Sequence, residues 1–121
     1  MEIQKHTGLK RVYFAWLNSC RGFAWLIKNE AAFKQEFIIS FLLTLLTFFL
    51  NISVLQQLIL VSVLGFVLIV EILNTAIEAT VDRIGLEHHP LSGLAKDLGS
   101  LAVLLSLLIA CATWVLILWK R

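Results

Sequence analysis

The chain is organised around residues 70–82, which read VEILNTAIEATVD. This stretch follows a long apolar segment, residues 37–70, that contains no Asp, Glu, Lys or Arg. At about 100° per residue, its three carboxylates project from a helix within about 40° of one another, and its amide lies about 60° to one side. The stretch therefore predicts an apolar helix with one polar face. The residues of that face are Glu71, Asn74, Glu78 and Asp82.

A polar face of this kind needs an explanation, because a charged side chain at the centre of a bilayer costs about 2.5–3.5 kcal/mol. Asp82 is followed closely by Arg83 and Gly85, a sequence that is typical of a helix end emerging into water. Glu71 instead comes directly after the apolar segment. Aligned carboxylates at that depth indicate a metal site or a proton-transfer site.

The composition of the 121-residue chain indicates an integral membrane protein. Hydrophobic residues make up 60% of it and charged residues only 15%, well outside the range of soluble domains. A formal net charge of +2 and the lack of a basic-aromatic run argue against nucleic-acid binding. Cys20 and Cys111 lie far apart without metal-ligand spacing, so we expect two free thiols.

Helical periodicity and charge-free segments predict an all-α membrane fold. In residues 9–28 apolar side chains recur at helical spacing and cationic and polar ones fill much of the other side, as in an amphipathic helix at the membrane interface. A continuous helix over residues 37–70 would measure about 51 Å against a hydrocarbon core of about 30 Å, so this segment must contain a turn. One domain, residues 1–121, is expected, with an interfacial helix and three transmembrane helices. The predicted ranges are 9–28 for the interfacial helix and 32–50, 54–83 and 93–119 for the helices that form the spans.

Capping residues and positive charges add boundaries and an orientation. Asn29 is a candidate N-cap for the first span, and Ser92 is a candidate N-cap for the last helix. Most Lys and Arg residues lie at or before the start of the first span, and the turn between the first two spans carries none. The amino terminus and the loop before the last span are therefore predicted to be cytoplasmic.

This topology places several charged residues at the cytoplasmic mouth of the bundle. Glu30 and Glu78 offer the hard oxygen ligands that suit Mg²⁺. A carboxylate in low-dielectric surroundings holds a proton more tightly, which suits Glu71 to act as a general base. Lys96 supplies a point charge for phosphate, so the set meets the requirements of phosphoryl transfer. Three spans are few to enclose such a site, and oligomerisation is expected.

The residues alone do not decide between two classes of function. The chain has no P-loop, no GxGxxG motif and no kinase catalytic loop. An enzyme and a small oligomeric ion or proton pathway, lined by Glu71, Glu78 and Asp82, are equally compatible with the spacing. The pathway would leave Glu30 and Lys96 without a role. A third possibility, a non-catalytic subunit of a larger complex, predicts no activity from the purified chain.

Three blocks of sequence resemble the prokaryotic diacylglycerol kinase family of small membrane kinases. They are NEAAFKQE at 29–36, EILNTAIEATVD at 71–82 and LSGLAKDLGS at 91–100, in the order of the family. The resemblance implies an ATP-dependent phosphotransferase of phospholipid metabolism that converts diacylglycerol to phosphatidic acid with Mg²⁺. It also implies a multi-pass homotrimer with composite active sites in the bacterial inner membrane. A sister branch phosphorylates undecaprenol, and the first block is more similar to the diacylglycerol branch.

Matching positions carry the roles of the family to this chain. Glu71 corresponds to the general base and Asn74 to its support, while Glu30 and Glu78 correspond to the ligands of Mg·ATP. Asn18 departs from the family, whose better-known members have an aromatic residue there. The other positions matching nucleotide contacts are Arg11, Asn18, Glu87, His88, His89, Lys96 and Asp97. The positions matching lipid-substrate contacts are Ala31, Ala32, Phe33, Lys34, Gln35, Glu71 and Ser100.

Overall fold

The computed structural model describes residues 7–120. Within that part of the chain the secondary structure is entirely helical, which confirms the all-α prediction for it. By compactness the chain divides into two units, Met1–Glu36 and Phe37–Arg121. The single membrane domain over residues 1–121 stays a prediction. The four helices are α1 (Gly8–Asn29), α2 (Ala31–Thr47), α3 (Val54–Ile84) and α4 (Pro90–Lys120).

α1 is a helix of 22 residues in which apolar and cationic side chains alternate. Gly8 begins it with a φ of +64°, a left-handed conformation that glycine adopts without a Cβ clash. At the other end, the side-chain amide of Asn29 donates to the carbonyl oxygen of Trp25 at 2.9 Å. The prediction that Asn29 caps the following helix is therefore wrong: Asn29 is the last residue of α1, its side chain turns back onto that helix, and Glu30 precedes the first residue of α2.

The turn predicted within the uncharged segment is present between α2 and α3. Ser53 begins α3 with a capping box: its hydroxyl accepts from the Gln56 N–H at 3.1 Å, and the Gln56 side chain accepts from the Ser53 N–H at 3.0 Å. The Gln57 amide then donates to the Thr47 hydroxyl at 3.0 Å. These polar groups account for the break in the apolar segment, since they satisfy backbone groups that a turn exposes.

α3 and α4 pack against each other as antiparallel helices joined by a short loop. Near one end, the indole N–H of Trp114 donates to the carbonyl oxygen of Leu60 at 3.2 Å. Near the other end, Lys96 forms an ion pair with Asp82 at 2.8 Å. Between these ends the buried positions of each helix lie three, four, seven or fourteen residues apart, a spacing that keeps them on one face, as in packed helices. This α3–α4 seam buries Leu60, Leu64, Val67 and Val81 of α3 and Gly99, Ser106 and Ala110 of α4.

α3 and α4 are the two described helices that are long and apolar enough to cross a membrane. Outside the seam their large apolar side chains are exposed, as with Leu58, Ile69, Leu101 and Leu108. The apolar helices and the composition together describe a membrane protein. α2 has 17 residues, about 25 Å of helix, which is shorter than a hydrocarbon core of about 30 Å.

α4 begins earlier than the sequence predicts, at Pro90. His89 precedes it and caps its first turn: its Nδ1 accepts from the Leu91 N–H at 3.1 Å, and its carbonyl accepts from the Gly93 N–H at 3.0 Å. The prediction of Ser92 as the cap is therefore wrong. Proline at the first helical position fixes the start of the helix, since its ring presets a helical φ and it has no N–H to satisfy.

Candidate functional site

The polar face predicted from residues 70–82 lies on α3 in line with the α3–α4 seam. Leu60, Leu64 and Val67 are buried at intervals of three or four residues, and Val81 resumes the same spacing nearer the loop. The intervening positions of this stripe are half-buried rather than lipid-exposed. Two carboxylates and one amide therefore occupy a packing face of α3. They belong to Glu71, Glu78 and Asn74.

Asn74 connects the polar face to α4. Its side-chain N–H donates to Oε1 of Glu78 at 3.3 Å, one turn further along α3. Its carbonyl oxygen is buried and has no hydrogen-bond donor among the described residues. That oxygen lies against Gly99 of α4. The hydrogen bond orients Glu78, and the predicted support of Glu71 by Asn74 stays a prediction.

The ion pair between Lys96 and Asp82 lies at the loop end of the seam. Lys96 Nζ is 2.8 Å from Asp82 Oδ1, and the two side chains are 44% and 48% exposed. Lys96 precedes the uncharged part of α4, residues 98–119. The hydrogen bond to Asp82 and then the charge of Asp82 raise the pKa of Lys96 above its ordinary value of 10.5. Nearby Glu78 contributes to the same rise.

The sequence pattern does not predict that Asp82 pairs with Lys96. It predicts that Asp82 lies at a helix end in water, and the side chain is exposed. The positions of the two residues in the sequence do contain a clue, because Asp82 and Lys96 are separated from His89, in the loop, by the same number of residues. In a helical hairpin, residues at similar distances from the loop lie near each other, to within about one turn.

A cavity of about 170 Å³ collects several of the predicted nucleotide contacts in one place. Its wall includes Glu87, His88 and His89 from the loop, Lys96 from α4 and Asp82 from α3. The structure thus brings the predicted loop residues together with the predicted phosphate-binding lysine. Such a mixture of one cation, two imidazoles and acceptor groups can hold a polar, charged ligand.

The loop residues around this cavity are held by local contacts. The cap that His89 makes on α4 fixes its ring, with Nδ1 as the acceptor. The carboxylate of Glu87 folds back over Gly85, where an added Cβ would lie 2.7 Å from its oxygens. Gly85 therefore leaves room for the Glu87 side chain beside the end of α3.

Glu30 lies at the corner between α1 and α2, in the first unit. Its N–H donates to the carbonyl oxygen of Leu26 at 2.9 Å, and its carbonyl accepts from the N–H of Lys34 at 3.0 Å. Its side chain is half-buried. The backbone of Glu30 is therefore bonded to the end of α1 and to the start of α2.

The predicted lipid contacts that follow Glu30 fall into two groups. Phe33 is 3% exposed and packs edge-to-face on Phe23, with ring centroids 6.3 Å apart. The remaining side chains of the block, which lie on the first turns of α2, are exposed and available to a lipid. They are Ala31, Ala32, Lys34 and Gln35.

The remaining predicted contacts lie on the exposed sides of α1 and α4. Arg11 is exposed on α1. Asn18 accepts a hydrogen bond from the guanidinium of Arg21, one turn further along the same helix. Asp97 and Ser100 are exposed on the first half of α4. Asp97 is not part of the wall of the 170 Å³ cavity.

Comparison with known proteins connects this geometry to a family. The sequence profile of prokaryotic diacylglycerol kinase matches residues 17–118. The chain belongs to the prokaryotic diacylglycerol kinase family. It is 46% identical to the diacylglycerol kinase of Escherichia coli (strain K12) over 117 residues, which cover 95% of this chain and 94% of that protein. It is 45% identical to the diacylglycerol kinase of Pseudomonas aeruginosa over 112 residues, 93% of this chain and 91% of that protein.

A more distant relative is named for a different lipid, undecaprenol. The chain is 31% identical to the undecaprenol kinase of Bacillus subtilis (strain 168) over 109 residues, which cover 90% of this chain and 89% of that protein. Membership of the prokaryotic diacylglycerol kinase family confirms the predicted resemblance and makes the protein an enzyme of lipid metabolism, a kinase. A kinase uses a nucleotide as co-substrate and a membrane kinase of this family takes a lipid as acceptor.

The donor groups of this prokaryotic diacylglycerol kinase family member fit Mg²⁺ bound together with a nucleotide. No group of three or more His, Cys, Asp or Glu side chains that could hold a metal ion occurs within residues 7–120. Mg²⁺ bound with a nucleotide does not need one, because it takes one or two carboxylates together with phosphate oxygens and waters. Glu30 and Glu78, the predicted ligands, each have a half-buried side chain, and their role as ligands stays a prediction.

Proposed function

We propose that the protein transfers the γ-phosphate of ATP to the hydroxyl of diacylglycerol and so produces phosphatidic acid. The observation that carries this proposal is the polar face of α3, which follows the α3–α4 seam towards Lys96 and the loop cavity. The face offers a base and a metal-ligating carboxylate close to a cation. The names of the relatives that are 45–46% identical support diacylglycerol as the acceptor lipid.

The proposed chemistry assigns one task to each side chain. Glu71 accepts the proton of the lipid hydroxyl as the hydroxyl oxygen forms a bond to the γ-phosphorus of ATP. The bond between that phosphorus and the β,γ-bridging oxygen breaks, and ADP leaves. Lys96 neutralises charge on the terminal phosphates. Mg²⁺, held by Glu30 and Glu78, would supply further charge neutralisation on the phosphate oxygens.

The setting of Glu71 suits a base for a lipid alcohol. It lies on the packing stripe of α3, where its side chain is half-buried, and it directly follows the uncharged part of that helix. The head group of a membrane lipid reaches this depth without leaving the bilayer.

We further propose three spans and a homotrimer with composite active sites in the bacterial inner membrane. α2 would form the third span with the help of residues 48–50, since 17 helical residues alone are short for a bilayer. The excess of Lys and Arg near α1 supports a cytoplasmic amino terminus. Three helices from one chain enclose little space, and a site between chains would bring Glu30 of one subunit to Glu78 of another.

An undecaprenol kinase activity is the alternative, and the 31% identical relative supports it. The experiment that tests the proposal offers the purified protein radiolabelled ATP, Mg²⁺ and a panel of lipid alcohols in mixed micelles. We expect diacylglycerol to acquire the label far faster than undecaprenol. Label on undecaprenol alone would support the alternative. Liposome ion flux without transfer of phosphate would contradict both and favour a proton or ion pathway.

A further inference from the structure

Gly99 of α4 makes an unusually close approach to the polar face of α3. It is buried in the α3–α4 seam. A Cβ added at this position would overlap the Asn74 carbonyl oxygen and would lie 3.2 Å from the Asn74 Cγ. At Gly65 and Gly93, which also lie in α3 and α4, an added Cβ would meet nothing within 4 Å. Of these three helical glycines, Gly99 is the one where a neighbouring side chain fills the space that a Cβ would take.

Asn74, the neighbour of Gly99, is hydrogen-bonded to Glu78, a proposed metal ligand. A carboxylate only accepts hydrogen bonds, so Glu78 selects the N–H side of the Asn74 amide. The opposite side of the amide, its carbonyl oxygen, is then directed at Gly99. That oxygen is buried without a donor among the described residues, an unfavourable state that the surrounding packing must impose.

We propose that Gly99 is a positioning residue for Glu78, and that it acts through Asn74. The space beside the Gly99 Cα lets the amide stand between α3 and α4 with its N–H groups towards Glu78. Any side chain at position 99 would push the amide away and leave Glu78 without this hydrogen bond. The inference rests on the proposed function, because it assumes that Glu78 is a ligand of the nucleotide-bound metal.

A direct test compares Gly99→Ala with Gly65→Ala. Alanine is the better helix former, so in open space either substitution would be neutral or stabilising. The readout is the affinity for Mn²⁺ as a stand-in for Mg²⁺, measured by electron paramagnetic resonance with a non-hydrolysable ATP analogue present. We expect Gly99→Ala to weaken Mn²⁺ binding about 10-fold or more, which is the usual loss when the partner of a metal ligand is removed. Gly65→Ala should bind Mn²⁺ like the unmodified protein.

A double variant shows whether the effect passes through Asn74. In Asn74→Ala the amide is gone, and a Cβ at position 99 would lie 3.9 Å from the remaining Cβ, an ordinary contact. We therefore expect the double variant Asn74→Ala/Gly99→Ala to bind Mn²⁺ as weakly as Asn74→Ala alone and no more weakly. The proposal would be overturned if the loss of Mn²⁺ affinity in the double variant equalled the product of the losses in the two single variants. Unaltered Mn²⁺ binding in Gly99→Ala would overturn it as well.

Two further outcomes are informative. If Gly99→Ala does not fold, the double variant should fold, because it lacks the colliding amide, and failure of both would contradict the role given to Asn74. Glu78→Gln separates this inference from the function on which it rests. Unchanged Mn²⁺ affinity in Glu78→Gln would refute the metal-ligand assignment itself. Loss in Glu78→Gln with no loss in Gly99→Ala would refute only the role of Gly99.

Discussion

The two halves of the α3–α4 seam use the same spacing for different purposes. In the half near the α2–α3 turn, Leu60 and Leu64 are buried against α4. In the half near the loop, the same stripe of α3 carries Glu71 and Glu78. The apolar half can pack because its side chains need no partners. The polar half depends on the register that the apolar half sets, since its groups must meet specific atoms on α4.

The difference indicates how a small membrane enzyme keeps charged groups in place. Lipid tails are as apolar as leucine, so association of helices in a bilayer relies on close packing and interhelical hydrogen bonds. The seam has one such polar contact at each end, from Trp114 to Leu60 and from Lys96 to Asp82. Substitutions in the apolar half should therefore change stability, and those in the polar half should change chemistry.

The largest effect is expected from Glu71→Gln in the polar half. Removal of a general base slows the chemical step about 10²–10⁴-fold. The amide has nearly the same shape, so the thermal unfolding of the variant should match that of the unmodified protein. The measurement is kcat with diacylglycerol and ATP, alongside nucleotide affinity. Near-normal turnover would show that another group accepts the proton.

In the apolar half, Leu60→Ala should reduce stability and spare chemistry. Leu60 is 0% exposed, and truncation of a fully buried leucine costs about 2–5 kcal/mol. We expect the lower end, about 2 kcal/mol, because lipid offers an apolar alternative to the seam. Denaturant unfolding in detergent micelles measures the loss. Leu58→Ala is the matched control: Leu58 is 60% exposed on another face of α3, and little change is expected.

The comparison of the two halves also explains how far the sequence could predict the structure. Helices, the interrupted uncharged segment and the polar face of residues 70–82 follow from local composition and period, which do not require knowledge of distant neighbours. The contact of Gly99 with Asn74 depends on the register between two helices. That register is set by packing along the whole seam, and no local pattern contains it.

The errors at helix ends have a similar origin. Asn29 and Ser92 are good capping residues by type. Each lies beside another group that decides the boundary. The Asn29 amide donates to the carbonyl oxygen of Trp25, back in α1. Pro90 begins α4 two residues before Ser92, directly after His89. The residue type of a candidate cap therefore locates a helix boundary to within a few residues. The exact boundary depends on which neighbouring groups compete for the hydrogen bonds at the helix end.

A smaller effect on the apolar half is expected from Trp114→Phe. The change keeps an aromatic ring and removes the indole N–H that donates to the carbonyl oxygen of Leu60. A single hydrogen bond contributes about 0.5–1.5 kcal/mol to stability, so the unfolding free energy should fall by that amount. Trp119→Phe is a suitable control, since Trp119 is 82% exposed. Equal losses in the two variants would mean that the bond to Leu60 does not hold the helices together.

The smallest effect, and the one that most directly separates position from charge, is expected from Asp82→Asn. The substitution removes the carboxylate that raises the pKa of Lys96. Lys96 stays protonated at neutral pH in either case, because its ordinary pKa of 10.5 is already far above 7. The substitution therefore leaves the charge of Lys96 unchanged, frees its ammonium group from the ion pair and removes one negative charge from the wall of the loop cavity.

An exposed ion pair contributes little because solvent screens it, so the KM for ATP should rise by no more than about 5-fold with kcat nearly unchanged. In a Lys96→Ala background, Asp82→Asn should have no further effect, since the partner is already missing. A lower KM in Asp82→Asn would reverse the interpretation: Asp82 would then compete with phosphate for Lys96. In that case Asp82 would keep Lys96 in the ion pair until the nucleotide phosphates displace the Asp82 carboxylate.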